Sequence, residues 1–178
     1  MDVKTIGQII GLFAAVMIIG SFQFKKNKYF YVMQLVGNIG FTMHFFLIGA
    51  YAGMLLNIFG IIRAVVMLLK GRGQKWAKSN WALAVLIMLC VVCGAATWNS
   101  EGWITILPCF AGIVGTVAMA IGDGKTIRLY QLFGVSPLWL IYNITAFSIS
   151  GIITETFNIV SAIVSIFRFG LVGLAEEK

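Results

Sequence analysis

Seven apolar runs, each close to the length of helix that crosses a bilayer, follow one another along this chain with little between them. They lie near Ile6–Phe22, Tyr29–Gly49, Gly53–Leu69, Trp81–Trp98, Trp103–Gly122, Leu129–Phe147 and Ile152–Phe169. A hydrocarbon core about 30 Å thick takes about 20 helical residues, so the runs fill the chain and leave no room for a soluble domain. A backbone in lipid has no water for its amides, and the runs lack the alternation of a barrel, so each is predicted to be a helix. Turns are expected at Ala50-Tyr51-Ala52 and at Ser148-Ile149-Ser150-Gly151. The first run lacks a small-residue cleavage site leading into a polar start, so it reads as a span rather than a signal peptide. Only 11% of the residues are charged, against about 25% in soluble domains. That excludes a soluble globular domain, a disordered chain and a nucleic-acid module. Three cysteines, an odd number, argue against a disulfide framework.

The basic residues set the expected orientation. Lys25, Lys26 and Lys28 fall in the first loop, Lys70, Arg72, Lys75 and Lys78 in the third, Lys125 and Arg128 in the fifth, and Arg168 and Lys178 at the C-terminal end. With seven spans these all lie on one side; Lys4 alone is opposite, and Arg63 is inside a span. Cytoplasmic loops carry the Lys/Arg excess, which predicts the N-terminus outside and the C-terminus inside. Six spans would break the sorting. Trp76, Trp81, Trp98 and Trp103 sit at predicted span ends, where indole rings anchor to the interface. The excess of base is therefore a topology signal first and a lipid-headgroup signal second, with no nucleic-acid partner implied.

The two ends of the chain resemble each other. Ala15-Val16-Met17-Ile18-Ile19-Gly20 matches Val117-Ala118-Met119-Ala120-Ile121-Gly122, Gln34-Leu35-Val36-Gly37 matches Gln131-Leu132-Phe133-Gly134, and Asn57-Ile58 matches Asn158-Ile159. The offsets, 102, 97 and 101 residues, keep the order and differ only by loop length. Three helices per repeat is an odd number, so two units joined directly would face opposite ways. One extra helix, the polar-poor fourth span, makes them parallel. The fold expected is all-α, seven transmembrane helices arranged three plus one plus three. A first three-helix bundle covers residues 5–70, a cytoplasmic basic loop and linker helix 71–101, a second bundle 102–172, and a cytoplasmic tail 173–178.

Parallel three-helix repeats with the N-terminus outside resemble the SWEET, SemiSWEET and PQ-loop transporter superfamily. Within it the chain is similar to the YgjV-like group of bacterial inner-membrane proteins. The likeness is densest from Gln23-Phe24-Lys25-Lys26 through Gln34, Asn38, His44-Phe45-Phe46-Leu47, Gly49-Ala50, Gly53 and Asn57 to Arg63. The resemblance implies a multi-pass protein of the bacterial inner membrane. It also implies that Asn57 and Asn158, on the third helix of each repeat, face a solute at the membrane midplane, with Tyr142 near the opposing aromatic position. The first repeat departs, with Thr42-Met43-His44 where a tryptophan is expected. The prolines depart too: Pro108 and Pro137 are both in the second half.

Polar side chains at membrane depth are costly and face a cavity or another helix. Asn57 and Asn158 either clamp a neutral polar solute or join helices by bonds of about 0.6 kcal/mol each; the repeat position favours the clamp. Tyr142, Asn143 and His44 complete the expected solute-binding set. His44, the one histidine, titrates near neutrality when unperturbed and is expected toward the outer end of its span, as a proton acceptor or as a bond to a neighbouring helix. Gln34, Asn38 and Gln131 form an inner polar layer of gate or packing, asymmetric because Val135 stands opposite Asn38. Arg63 meets either an anionic group of a solute or backbone carbonyls at an inner gate. Glu155, three residues before Asn158 on one helix face, lines an outer vestibule or ends at the interface. A direct Arg63–Glu155 pair is not expected.

Cys90 and Cys93 have CxxC spacing, but mid-span and without a nearby histidine or carboxylate they read as packing. Gly7 with Gly11, and Gly112 with Thr116, present small faces for close helix contact. No motif of hydrolase, metalloprotease or nucleotide-binding type is present, so neither catalysis nor a cofactor or metal is expected. The partners implied are a small polar solute and the lipid bilayer, with homo-oligomerisation left open. The function expected is facilitated or carrier-type movement of that solute by alternating access. The rival is a non-transporting membrane scaffold or assembly protein with packed bundles.

Overall fold

A computed structural model describes residues 2–24 and 26–173, with side chains as far as Val164. Lys25 and Lys178 lie outside the described residues, as do the tail from 174 onward and the side chain of Arg168. The described chain is all helix and turn. Helix α1 spans Val3–Ser21, α2 Asn27–Ile48, α3 Tyr51–Gly71 and α4 Asn80–Ala96. A one-turn helix at Trp98–Glu101 and a 3-10 turn at Gly102–Thr105 lead into α5, Ile106–Ile121. Helix α6 is continuous over 124–145 in three pieces: Gly124–Tyr130, a π turn at Gln131–Val135, and Ser136–Thr145. Helix α7 spans Ile149–Gly173. Val3–Ser21, Asn27–Ile48, Tyr51–Gly71 and Trp98–Ile121 are long and apolar enough to cross a membrane, while Asn80–Ala96 and Ile149–Val164 are shorter apolar helices.

Local chemistry explains the boundaries. Ser79 Oγ accepts from the Ala82 amide and caps α4, and Asp123 Oδ1 accepts from the Thr126 amide and caps α6, each satisfying an orphan donor. Pro137 cannot donate to the turn before it, and the π turn that ends at Val135 accommodates that missing N–H. The second turn comes earlier than the sequence suggests. Gly49 takes φ +81°, its amide bonds Phe46 O and the Ala50 amide bonds Phe45 O, which is a Schellman stop. Tyr51 and Ala52 are therefore already helical. The sixth turn repeats the same device. Phe147 takes φ +52°, its amide bonds Ile144 O, and the Ser148 amide bonds Asn143 O. Ser150 and Gly151 then belong to α7 rather than to the turn.

The packing is a ring. Helix α2 lies between α1 and α3, and α6 lies between α5 and α7; α3 meets α5, and α7 meets α1. Helix α4 stands outside against α3 and α5. It buries one narrow stripe, Ala82, Leu86, Cys90 and Gly94, four residues apart and hence along one line of the helix. Its other side exposes Val85, Met88, Val91 and Val92, as a helix facing lipid does. Cross-links define two ends. Asn27 Nδ2 reaches Gly122 O at 3.2 Å and Lys70 Nζ reaches Ala120 O at 2.5 Å, gathering the Lys/Arg-rich loops at one end. Gln8 Nε2 reaches Phe147 O at 3.0 Å and Glu101 Oε1 accepts from the Ala52 amide at 2.7 Å, gathering the other loops at the end that holds the start of α1.

Candidate functional site

A slot lies in the middle of the ring, and all six ring helices contribute to it. Gln34, Asn38, Phe41 and Phe45 come from α2, Asn57, Phe59 and Arg63 from α3, Gly112, Gly115 and Met119 from α5, Gln131, Trp139 and Asn143 from α6, and Thr154, Glu155 and Asn158 from α7. Ile18 enters from α1. Helix α4 contributes nothing. The slot's volume is about 80 Å³, roughly half of the 150 Å³ that holds benzene in an apolar protein cavity.

Glycines let polar side chains lie against neighbouring helices at the slot wall. A Cβ on Gly60 of α3 would stand 2.7 Å from Asn38 Oδ1 and 3.0 Å from its Nδ2, so the Asn38 amide occupies the place where a side chain on α3 would be. A Cβ on Gly151 of α7 would collide with Asn143 Oδ1, so the Asn143 amide sits against α7 in the same way. Gly115 does this for Arg63, whose Nη1 would lie 3.1 Å from such a Cβ.

Arg63 Nη1 makes one long bond to Gly112 O, 3.4 Å, and its guanidinium lies 5.5 Å from the Phe59 ring centroid. Its Nε has no partner among the described residues. Glu155 is 9% exposed, and its Oε2 accepts from Asn158 Nδ2 at 3.4 Å and Gln131 Nε2 at 3.5 Å. Gln131 Nε2 also donates to Ser136 Oγ at 2.8 Å, across the π turn. Asn57 Nδ2 turns back on its own helix to Gly53 O, 2.7 Å, and Gln34 Nε2 donates to Ser21 Oγ at 2.9 Å. Among the described residues, three buried side-chain polar atoms lack a partner: Asn38 Nδ2, Arg63 Nε and Asn143 Oδ1. All three belong to the slot wall.

Of the residues expected to bind solute, the structure brings together Asn57, Asn158 and Asn143 with Gln34, Asn38, Gln131, Arg63 and Glu155, and places Tyr142 and His44 elsewhere. Glu155, which span counting puts toward the outer end, is inside the slot. Tyr142, fully buried, accepts from the Gly53 amide at 2.7 Å and donates to Glu101 Oε2 at 3.0 Å. Its ring joins Phe45 and Trp139 at centroid distances of 5.9 and 5.6 Å, and Phe45 stacks on Trp139 at 6.0 Å. This aromatic layer separates the slot from a shallow hollow near Glu101, Trp103 and Ala146. Phe45 stands 97 residues before Tyr142, the same offset as Gln34 to Gln131. That shared offset was the available signal for Phe45, which sequence reasoning missed as a partner of Tyr142.

His44 ties three segments together. A carbonyl only accepts, so the 2.8 Å contact of Nδ1 with Gly7 O places a hydrogen on Nδ1. In the neutral ring Nε2 then accepts from Ser148 Oγ at 2.7 Å, and Ser148 Oγ accepts in turn from the Gly151 amide at 3.1 Å. Gly11 makes room for this knot: a Cβ there would lie 2.7 Å from His44 Nδ1. Cys90 does not associate with Cys93 but crosses from α4 to α5, where Cys90 Sγ lies 3.3 Å from Cys109 O and Cys109 Sγ 3.6 Å from Cys90 O. No group of three or more metal-ligating side chains occurs among the described residues.

Comparison with known proteins gives a family and a relative. The family model Imp-YgjV, described as bacterial inner membrane protein, matches residues 5–171. Inner membrane protein YgjV of Escherichia coli (strain K12) is 27% identical over 169 residues, covering 95% of this chain and 87% of that protein. No solved structure matches the chain.

Proposed function

Because this chain belongs to the Imp-YgjV family of bacterial inner membrane proteins, we propose that it carries a small polar solute across that membrane. The solute binds in the central slot near Asn57 and Asn158 and passes by alternating access. The N-terminus faces outward, the basic loops face the cytoplasm, and the chain is a SWEET-like pair of parallel trios joined by α4. The Schellman stops at Gly49 and Phe147, within one residue of corresponding places in the two trios, support the duplication.

One observation carries the transport reading: every buried side-chain atom left without a partner among the described residues belongs to the wall of one slot. Each such atom costs about 1–3 kcal/mol unless something completes it, and a polar solute or water supplies the missing bonds. The Phe45–Trp139–Tyr142 layer is the gate toward the outer end. Rocking of α1–α3 against α5–α7 opens it while closing the end marked by Gln34 and Gln131.

The small volume of the slot favours one other reading, a packed membrane scaffold with no path. The two separate in proteoliposomes loaded with a panel of labelled sugars, amino acids and vitamin precursors. The double variant N57L/N158L is expected to melt like the parent and to lose uptake of whichever solute the parent carries. Undiminished uptake by that variant refutes the site, and failure of the parent to move any solute favours the scaffold.

A further inference from the structure

The slot has two chemically opposite poles. At one, Asn38 Nδ2 and Arg63 Nε are buried donors without acceptors. The Asn38 amide rests on Gly60, three residues before Arg63 on the same face of α3, and both side chains line the slot. At the other pole, Asn143 Oδ1 is a buried acceptor without a donor. The Asn143 amide rests on Gly151, one helical turn from Glu155 on the same face of α7. Glu155 takes long bonds from two amides and a bond from the Ser136 hydroxyl, all of them neutral donors. A guanidinium and a carboxylate thus line one cavity, yet among the described residues neither forms an ion pair.

Lone charges in a membrane interior are expensive, and are kept where they meet each other or a ligand. A neutral sugar would leave both uncompensated. An anion would answer Arg63 alone, and a cation Glu155 alone. Resting on the transport reading above, we propose that the solute is a small zwitterionic amino acid. Its carboxylate is held by Arg63 and Asn38, and its ammonium by Glu155 and Asn143. A guanidinium edge suits a carboxylate, since two parallel N–H donors match its two oxygens. An ammonium group has three hydrogens and no lone pair, which suits a pole made of acceptors. The volume of about 80 Å³ suits a small ligand such as glycine, alanine or β-alanine, since an apolar cavity that holds benzene is about twice that size.

The test measures equilibrium binding of labelled glycine, alanine and β-alanine to the purified chain in detergent, together with thermal stabilisation. Glycolate and ethanolamine serve as probes that keep one charge each. At least one amino acid is expected to bind saturably, with both single-charge probes tenfold weaker or worse. R63Q and E155Q are each expected to weaken amino-acid binding at least tenfold, and R63K and E155D to recover part of it. Should a single variant fail to fold, R63M/E155M removes both uncompensated buried groups together and with them their desolvation cost; it is expected to melt as a folded protein and to bind no amino acid. Glycolate binding as tightly as glycine and undiminished in E155Q overturns the proposal in favour of an anion site. Ethanolamine binding undiminished in R63Q does so in favour of a cation site. If no amino acid binds while another solute is still carried, the zwitterion is wrong and transport stands. If nothing binds and nothing crosses, both fall.

Discussion

His44 shows how a single side chain joins distant segments of this protein. Both ring nitrogens are engaged, one by α1 through Gly7 O and one by the α6–α7 turn through Ser148 Oγ, and the side chain is fully buried. H44A takes one bond from the Gly7 carbonyl and one from the Ser148 hydroxyl and opens a void. It should cost about 2–4 kcal/mol, read as a lowered melting temperature. Solute affinity per folded molecule should be unchanged, because His44 is not on the slot wall. A loss of affinity at unchanged stability would move His44 into the site. The sequence identified His44 as an intramembrane polar group that needs a partner, but the partner lies 104 residues away, and no pattern in one chain names it. Asn57 and Asn158 were singled out for a different reason: matching stretches near the two ends of the sequence align them.

At the scale of elements, the most telling feature is a turn. Gly49 and Phe147 end α2 and α6 in the same left-handed conformation, but only glycine adopts it without strain. A non-glycine residue there costs about 1–2 kcal/mol. F147G is therefore expected to stabilise the protein by about 1 kcal/mol net of the extra flexibility it gives the unfolded chain, seen as a higher melting temperature in detergent. A lower one would mean that the 83%-exposed Phe147 ring is worth more to the fold than its backbone strain. The seven helices themselves were legible, since a run of apolar residues bounded by charge has few alternatives in lipid. Their ends were less so. Tyr51, Ala52, Ser150 and Gly151 look like turn residues by composition, yet the Schellman bonds close each turn earlier and leave them helical. The π turn before Pro137 was invisible for a related reason: the sequence shows that an N–H is missing, not how the backbone will absorb it.

For the molecule as a whole, the expected orientation is open to a direct measurement. With the three native cysteines replaced, a cysteine at Ser100, exposed at the end that holds the start of α1, should react with an impermeant maleimide on intact spheroplasts. A cysteine at Gly73, exposed among the basic loops, should react only after lysis. The reverse pattern would invert the protein, and with it the assignment of the aromatic layer as the outer gate.

The sequence by itself determined that the chain is a bundle of apolar helices suited to a bilayer, and it singled out the polar residues that such a bundle must hide. That much follows from local physics, because each span obeys the solvent around it regardless of its neighbours. Which helices touch was decided only in three dimensions. The closure of α7 onto α1 and of α3 onto α5 converts Arg63 and Glu155, 92 residues apart, into opposite walls of one slot. The same packing diverts Tyr142 and His44 to the joints around it. Burial of a polar atom is a property of the surrounding helices and not of the residue, so it takes the assembled ring to show which polar groups are satisfied and which still wait for a partner.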